Sequence, residues 1–572
     1  MGVFELLSSV IVLVICCQLT FKFHQVSAAD EFSYIGAVAE YHPVLTGDNG
    51  TEIANENAKN FITMMAKAAE HNADIIVFPE NGLTVGFTYS KENRTMYPSF
   101  STFLPDDNAH VPCKNSETVV IEALQSLSCA AQNYSMYVVI NLMEMKKCNA
   151  SETESHGCPS DGLFFYNTNV VLDRNGTIIS RYRKFNLFAE PGVDVTPTAD
   201  VASFTTDFDV TFGHFICFDI LFKEPALTLV KDYNITDIVY PTHWFSEMPY
   251  LTTLQVQASW SYANDVNFLA SSFNNPSSGS GGSGIYAGKD GHLITYWPEY
   301  SSNALLVATV PKLINGERNV SLVSSTSALY YAFNDSEIST LVGPEVIPQR
   351  LFAQENLTLF TTSELDFVNG TTKISKEVCN RELCCSFHVN SNFANESVTE
   401  TSKYYKYRIA VFNGIRLYPG IGTGGIQVCS IISCTDATLE SCGTRFAVTD
   451  DVVAATVFHS IVISGNFSTD TDMAQMPSSL TTDILPLNPS DFSYSAVDYE
   501  NSTDRSIVYN LTSSTSNLLT FAIFGRNFSG DWKEEIVIEE PTESPTTGAS
   551  AGVHVPYSSI AVAITFLVAM WQ

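Results

Sequence analysis

The chain has 572 residues, 45% of them hydrophobic, which allows more than one packed core. Charged residues make up only 16%, and 61 acidic side chains outnumber 29 basic ones, for a formal net charge of −32. That balance excludes the basic face of a nucleic-acid binder and a polybasic contact with anionic lipid, and 25 Tyr with 37 Phe exclude a disordered chain.

Residues 6–20 are apolar, and Val26-Ser27-Ala28 puts small residues where a signal peptidase reads, so 1–28 is expected to be a secretory signal peptide. A strand is predicted over 32–38. Ala54, Ala58, Phe61, Met65 and Ala68 recur at spacings of four and three, one face of a helix. A buried strand follows over 73–78, then a helix over 116–131 and a strand over 136–142. Strands over 163–172 and 178–182 flank the turn pair Asn175-Gly176. Strands over 210–218 and 235–240, a helix over 251–263 and a strand over 267–271 complete an alternation that argues an α/β domain over 30–312. Residues 277–284 are Ser and Gly alone and read as a flexible loop.

Beyond 315 helical periodicity is scarce. Runs at 407–412, 425–432, 453–463 and 518–524 are apolar, β-branched and bounded by turn residues, which predicts a β-rich second domain over 315–535. A linker rich in Pro, Thr, Ser and Glu follows over 536–550. The small residues of 546–552, a short spacer and an apolar run of 12 residues at 560–571 end the chain. That run is too short for a spanning helix, which needs about 20 residues. The pattern matches a glycosylphosphatidylinositol signal, with 551–572 removed and Ala549 or Ser550 carrying the lipid anchor.

Fifteen Asn-x-Ser/Thr sites point to a glycosylated surface: Asn49, Asn93, Asn133, Asn149, Asn175, Asn234, Asn319, Asn334, Asn356, Asn369, Asn395, Asn466, Asn501, Asn510 and Asn527. Of 13 Cys, Cys16 and Cys17 leave with the signal peptide. The remaining eleven form at most five disulfides, so one thiol is left over. Six of them lie between Cys379 and Cys442 and are expected to staple the second domain.

Three segments carry candidate chemistry. Asp74-Ile75-Ile76-Val77-Phe78-Pro79-Glu80 ends a buried strand in a carboxylate, at the edge where α/β domains hold their sites. Arg181-Tyr182-Arg183-Lys184 sets three basic residues within four positions of an acidic chain. Phe212-Gly213-His214-Phe215-Ile216-Cys217-Phe218-Asp219 runs a strand into a cysteine at a turn, where helix N–H groups lower a thiol pKa. Each alone has a bland reading: a strand-end acid, a solvated basic strand end, a structural or disulfide cysteine. Cys217 is remote from the other cysteines and is the choice for the unpaired thiol. His214, an odd number of strand positions from it, should face the opposite way. Together the three groups make chemical sense: a thiolate attacks an amide carbon, a carboxylate takes the thiol proton and later activates water, and an ammonium stabilises the oxyanion. No G-x-S-x-G elbow and no H-E-x-x-H occurs around a credible nucleophile. Cys384-Cys385-x-x-His388 could hold zinc, but in a secreted chain disulfides are the stronger reading.

Glu80 after D-I-I-V-F-P, Lys184 within Y-R-K-F-N-L-F and Cys217 within C-F-D-I-L-F resemble, in that order, the nitrilase (carbon–nitrogen hydrolase) superfamily. With the signal peptide, sequons, anchor tail, Asn267-Phe268-Leu269-Ala270-Ser271 and Gly284-Ile285-Tyr286, the chain looks like the biotinidase/vanin branch. The resemblance implies a nitrilase-like α-β-β-α sandwich over 30–312 followed by a disulfide-stapled β-rich base domain. It also implies hydrolysis of a linear amide through a cysteine thioester, without cofactor or metal. Carried over by position, Glu80 is the general base, Lys184 the oxyanion stabiliser and proton donor, Cys217 the nucleophile, and Glu190 a supporting carboxylate. The vanin-like substrate is pantetheine, cleaved to pantothenate and cysteamine, with the protein anchored to the outer face of the plasma membrane and in part released. Cleavage of biotin amides, or a cell-surface binding glycoprotein without turnover, are the alternatives. The Ser/Gly loop borders the expected cleft and departs from the family pattern, which bears on substrate choice.

Overall fold

A computed structural model describes residues 31–532, apart from 46, 48, 85–90, 106–109, 115–119, 149–156, 320, 323–327, 339–349, 395–397, 400, 419–420, 469–471 and 500–502. The expected signal peptide, linker and anchor tail with Ala549 and Ser550 lie outside the described residues, as do Asn149, Asn395 and Asn501.

Strand β1 (Ser33–Tyr41) pairs in parallel with β2 (Ile75–Val77), and β2 with β3 (Tyr137–Lys147). Two antiparallel strands, β4 (Leu163–Leu172) and β5 (Ile178–Arg183), extend that side, so β5 again runs with β2 and β3. A second parallel set, β6 (Thr211–His214), β7 (Asp237–Thr242) and β8 (Asn267–Phe273), meets β1 only at Glu40↔Ser272 and Tyr41↔Phe273. The rest of that edge of β1 pairs with β10 (Asn303–Pro311), and β9 (Ser283–Ala287) pairs with β8. Hydrogen bonding is thus continuous through β1, yet two half-sheets diverge from it.

Alternate residues of these strands go to different layers. Tyr34, Val38, Ile75, Val77, Val139, Val239 and Leu269 fill the space between the half-sheets. Ala37, Ala39, Ile76, Phe78 and Val138 meet helix α1 (Gly50–Glu70) through Ala54, Ala58, Phe61, Met65 and Ala68, the face read from the sequence. On the far side Ile238, Tyr240, Phe268 and Ala270 pack on Val256 and Trp260 of α3 (Thr253–Asn264). Burial on both faces explains why the strands read as continuous apolar runs, and the layer order is the expected α-β-β-α sandwich. Phe61 stacks on Phe78 at 3.8 Å between ring centroids, each ring contributing about 1.5–3 kcal/mol by burial. Helix starts follow capping chemistry: Asn49 accepts from the Glu52 N–H at 3.0 Å, and Gln255 accepts from the Thr252 N–H at 3.2 Å. The helix expected over 116–131 is α2 (Glu122–Tyr134), ended by Ser135 at φ 52°.

The β-rich remainder is an antiparallel sandwich of two five-stranded sheets. Ile409, Val411, Ile431 and Ile523 of one sheet face Phe387, Val389, Ile461 and Ile507 of the other. Cys385–Cys429 crosses between the sheets, and Cys379–Cys384 and Cys434–Cys442 are further links. These pairs dispose of a zinc site at Cys384-Cys385-x-x-His388; His388 Nδ1 lies 3.0 Å from Ser375 Oγ instead. Cys113–Cys129 and Cys148–Cys158 lie in the first half, leaving Cys217 as the unpaired cysteine among the described residues. The outer face of the first sheet, with Ala410, Phe412, Val428, Ile432 and Phe524, joins the same apolar cluster as α3 and the Cys217 turn, so the two halves share a core.

The Ser/Gly segment is not a flexible loop. Residues 278–284 are buried around the Glu40 carboxylate, which accepts from Asn274 Nδ2 (2.6 Å), Ser283 Oγ (2.6 Å) and the Gly282 N–H (3.0 Å). Gly281 sits at φ 134°, where a Cβ would meet Trp297 at 2.7 Å and Glu40 at 2.9 Å, so glycine is required for close approach rather than for motion. Burial pushes the Glu40 carboxyl up to about 7. A folded pKa above the unfolded one stabilises below the unfolded value and loses that contribution as pH rises through the folded value. Glu40→Gln is therefore expected to flatten the fall in unfolding free energy between about pH 4.5 and 7, by as much as about 3 kcal/mol. Denaturant titrations of both proteins across that range check this; parallel pH profiles would refute it.

Among the described sequon asparagines, Asn49, Asn133, Asn175, Asn234, Asn319, Asn334, Asn356, Asn369 and Asn466 are exposed, and Asn510 and Asn527 are half-buried. No helix among the described residues is long and apolar enough to cross a membrane.

Candidate active site

Strands β2, β5, β6 and β7 run in one direction, and each delivers a polar group at its carboxyl end. Glu80 follows β2 through Pro79 and is fixed by Asn81, at φ 58°, whose N–H donates to Asn141 Oδ1 at 2.8 Å. Lys184 directly follows β5, and its N–H donates to the Asn167 carbonyl at 2.8 Å. The basic cluster is not a solvated strand end: Arg183 turns to Glu144 with contacts at 2.6 and 2.9 Å, and Lys184 is 2% exposed on the other side. Cys217 comes after β6, which ends at His214 rather than at 218 because the chain turns sharply there. Cys217 has φ 48°, a left-handed conformation unusual for a residue with a β-carbon, and opens the short helical turn Cys217–Leu221.

The side chains converge. Lys184 Nζ donates to Glu80 Oε1 at 2.7 Å and to Glu190 Oε1 at 2.5 Å. Asn167 Nδ2 bridges the same carboxylates, at 2.7 Å to Glu80 Oε1 and 2.9 Å to Glu190 Oε2. Glu80 Oε2 accepts from the His243 backbone N–H at 2.8 Å. Glu80, Thr242 and the His243 backbone surround the Cys217 thiol and bear on its protonation. All four predicted residues are thus brought together, and all are buried. His214 is not among them; it contacts Ser180 Oγ at 2.8 Å, and burial pushes its imidazole down to about 3.

Electrostatics sets the resting protonation. Burial, and then the Glu80 charge, hold the Cys217 thiol well above its ordinary range, and Lys184 offsets this only in part. Burial opposes charge on Lys184 as well, but Glu190 and Glu80 outweigh it and raise the ammonium pKa. Burial would raise Glu80 too; the charge and hydrogen bond of Lys184 overcome it and lower the carboxyl pKa. The resting site therefore holds a thiol, an ammonium and the Glu80 carboxylate. Burial pushes His243 down to about 4, so its imidazole is neutral.

The turn bearing Cys217 is tied to the loop bearing Lys184. Asp219 Oδ2 accepts from the Ile216 N–H (3.0 Å) and the Tyr182 hydroxyl (2.8 Å), and Oδ1 accepts from Asn186 N and Nδ2 (both 2.9 Å). Tyr240 donates its hydroxyl to the Cys217 carbonyl at 2.8 Å.

Residues 44–259 match the carbon–nitrogen hydrolase family, and residues 349–531 match the vanin C-terminal domain. "Vanin-like protein 1" of Drosophila melanogaster is 33% identical over 524 residues, 90% of this chain and 89% of that one. "Pantetheinase" of Canis lupus familiaris is 32% identical over 538 residues, 92% of this chain and 93% of that one. The chain belongs to the vanin family of carbon–nitrogen hydrolases. This vanin-family protein is a hydrolase that acts on a small-molecule amide. An amidase from Nesterenkonia sp. is similar at 15% identity and a TM-score of 0.36, over 50% of this chain and 93% of that one.

Sequence reasoning missed the members of this vanin-family site that only connect others. Asn141 and Asn167 form the floor beneath Glu80 and Glu190, joined by an Asn141 Nδ2 to Asn167 Oδ1 bond of 2.7 Å. Their signal was an amide within an apolar strand run, which a buried strand does not tolerate without partners.

Proposed function

We propose that this protein hydrolyses pantetheine to pantothenate and cysteamine through a Cys217 thioester. The observation that carries the reading is the convergence of Glu80, Lys184 and Cys217 in a chain whose relatives include proteins named pantetheinase. The raised thiol pKa and lowered Glu80 pKa mean that no standing thiolate is present, so proton transfer accompanies attack. Sγ bonds to the amide carbon, its proton passes to Glu80, and the carbonyl electron pair moves to the oxygen. Lys184 and the backbone N–H after the nucleophile are suited to receive that oxyanion. On collapse the C–N bond breaks and the amine departs with the proton held by Glu80. Water then gives a proton to Glu80 and bonds to the thioester carbon; on collapse the C–S bond breaks, and Glu80 returns the proton to the departing sulfur. Glu190 stays in contact with the ammonium of Lys184 while Glu80 is neutral. The signal peptide, sequons and anchor tail support placement on the outer face of the cell membrane, with glycans on the exposed asparagines.

Incubation of the secreted protein with pantetheine and with a biotinyl amide, reading the amine released, tests the substrate. Cysteamine release at least tenfold above biotinyl-amide cleavage is expected; the reverse preference would refute pantetheine as the substrate.

A further inference from the structure

A cavity of about 580 Å³ opens on the seam between the two halves. One wall is built from Ile220 and Lys223 just past the nucleophile, the short helix Thr228–Lys231, and Trp260 of α3. The other wall carries Met476, Gln475, Arg505 and Arg526 of the second domain. In a chain of net charge −32, this lining holds four cations, Lys223, Lys231, Arg505 and Arg526, against one carboxylate, Asp232.

Three of those cations are balanced: Lys223 by Asp472 (2.7 Å), Arg505 by Asp498 (2.6 Å) and Arg526 by Asp531 (2.7 Å). Lys231 is exposed and forms no ion pair among the described residues. Partial loss of water around its ammonium, and then the like charges of Arg505 and Lys289, lower its pKa. An ammonium kept beside like charges and outside any ion pair favours an anion that supplies the missing charge.

We propose that this cavity binds a small organic carboxylate, with the carboxylate held between Lys231 and Arg505 and an apolar body along Trp260, Leu227 and Met476. An inorganic anion would leave most of the volume and the apolar wall unused. The site is separate from the catalytic one: the Cys217 thiol faces Glu80, Thr242 and His243, none of which lines the cavity.

The test is calorimetric titration of the full protein with hexanoate. Saturable one-site binding is expected, with acetate, which lacks the body, and 1-hexanol, which lacks the charge, each about tenfold weaker or more. Lys231→Gln should weaken hexanoate about tenfold or more, the loss of one charge-assisted hydrogen bond, whereas Lys231→Arg should hold affinity within a few-fold. Cys217→Ala should bind as the wild type does. Ala263→Phe, which fills the cavity from α3 without removing charge, should weaken binding as Lys231→Gln does, and it serves if that variant does not fold. Absence of saturable binding, affinity equal to that of the wild type in both Lys231→Gln and Ala263→Phe, 1-hexanol binding as tightly as hexanoate, or loss of binding on alkylating Cys217 would each overturn the proposal.

Discussion

Cys217→Ala is expected to lower amide turnover by about four to six orders of magnitude while the protein still folds and is secreted. The effect is large because the covalent step has no other nucleophile: among the described residues every other cysteine is in a disulfide. A water acting directly would have to attack the amide itself, which is much less electrophilic than the thioester. Stability should change little. Alanine keeps the β-carbon that the φ of 48° already accommodates, and one sulfur leaves a buried site, a loss of about 1 kcal/mol. The measurement is amine release per mole of protein, with a thermal melt alongside. Turnover within tenfold of the wild type, with the fold intact, would remove Cys217 from the mechanism.

Lys184→Ala is expected to reduce both activity and stability. Turnover should fall about a thousandfold or more through loss of a cationic oxyanion partner. The stability effect comes from what remains: Glu80 and Glu190, 2% and 6% exposed, lose the ammonium that both contact. Removing one member of a buried ion pair costs about 3–5 kcal/mol. In the variant burial and like charge raise a carboxyl pKa above its unfolded value. That group's stabilisation is then present below the unfolded pKa and lost as pH rises through the folded one. The deficit relative to the wild type should therefore shrink as pH falls below the ordinary carboxylate range. Chemical denaturation at a series of pH values reads this directly; a deficit independent of pH would mean that Lys184 does not govern those carboxylates.

Much of this was legible in the sequence. The strands and the buried face of α1 followed from periodicity, because each layer imposes its own repeat on the chain. Glu80, Lys184 and Cys217 were legible because strand ends, a basic cluster in an acidic chain and an odd cysteine are local signals. Asn141 and Asn167 were not singled out, since their contacts join segments far apart in the chain: Asn167 reaches Glu80 across 87 positions. The 277–284 segment was misread for a related reason. Composition reports what glycine permits, whereas its use here is set by Glu40 and Trp297, which approach from elsewhere. The end of β6 was overrun because an apolar run continues through Phe215 and Ile216 while the backbone turns at Cys217.

The core shared by α3, the Cys217 turn and one sheet of the second domain has a consequence for how this architecture can change. Arg526 of that sheet donates to the Leu221 carbonyl at 2.8 Å, so the far half of the chain braces the end of the Cys217 turn. Neither half presents a finished surface alone, and the halves are not interchangeable modules. Recombination that brought in a foreign second half would have to match both the apolar face and the guanidinium, and variation in specificity is left to the loops at the strand ends.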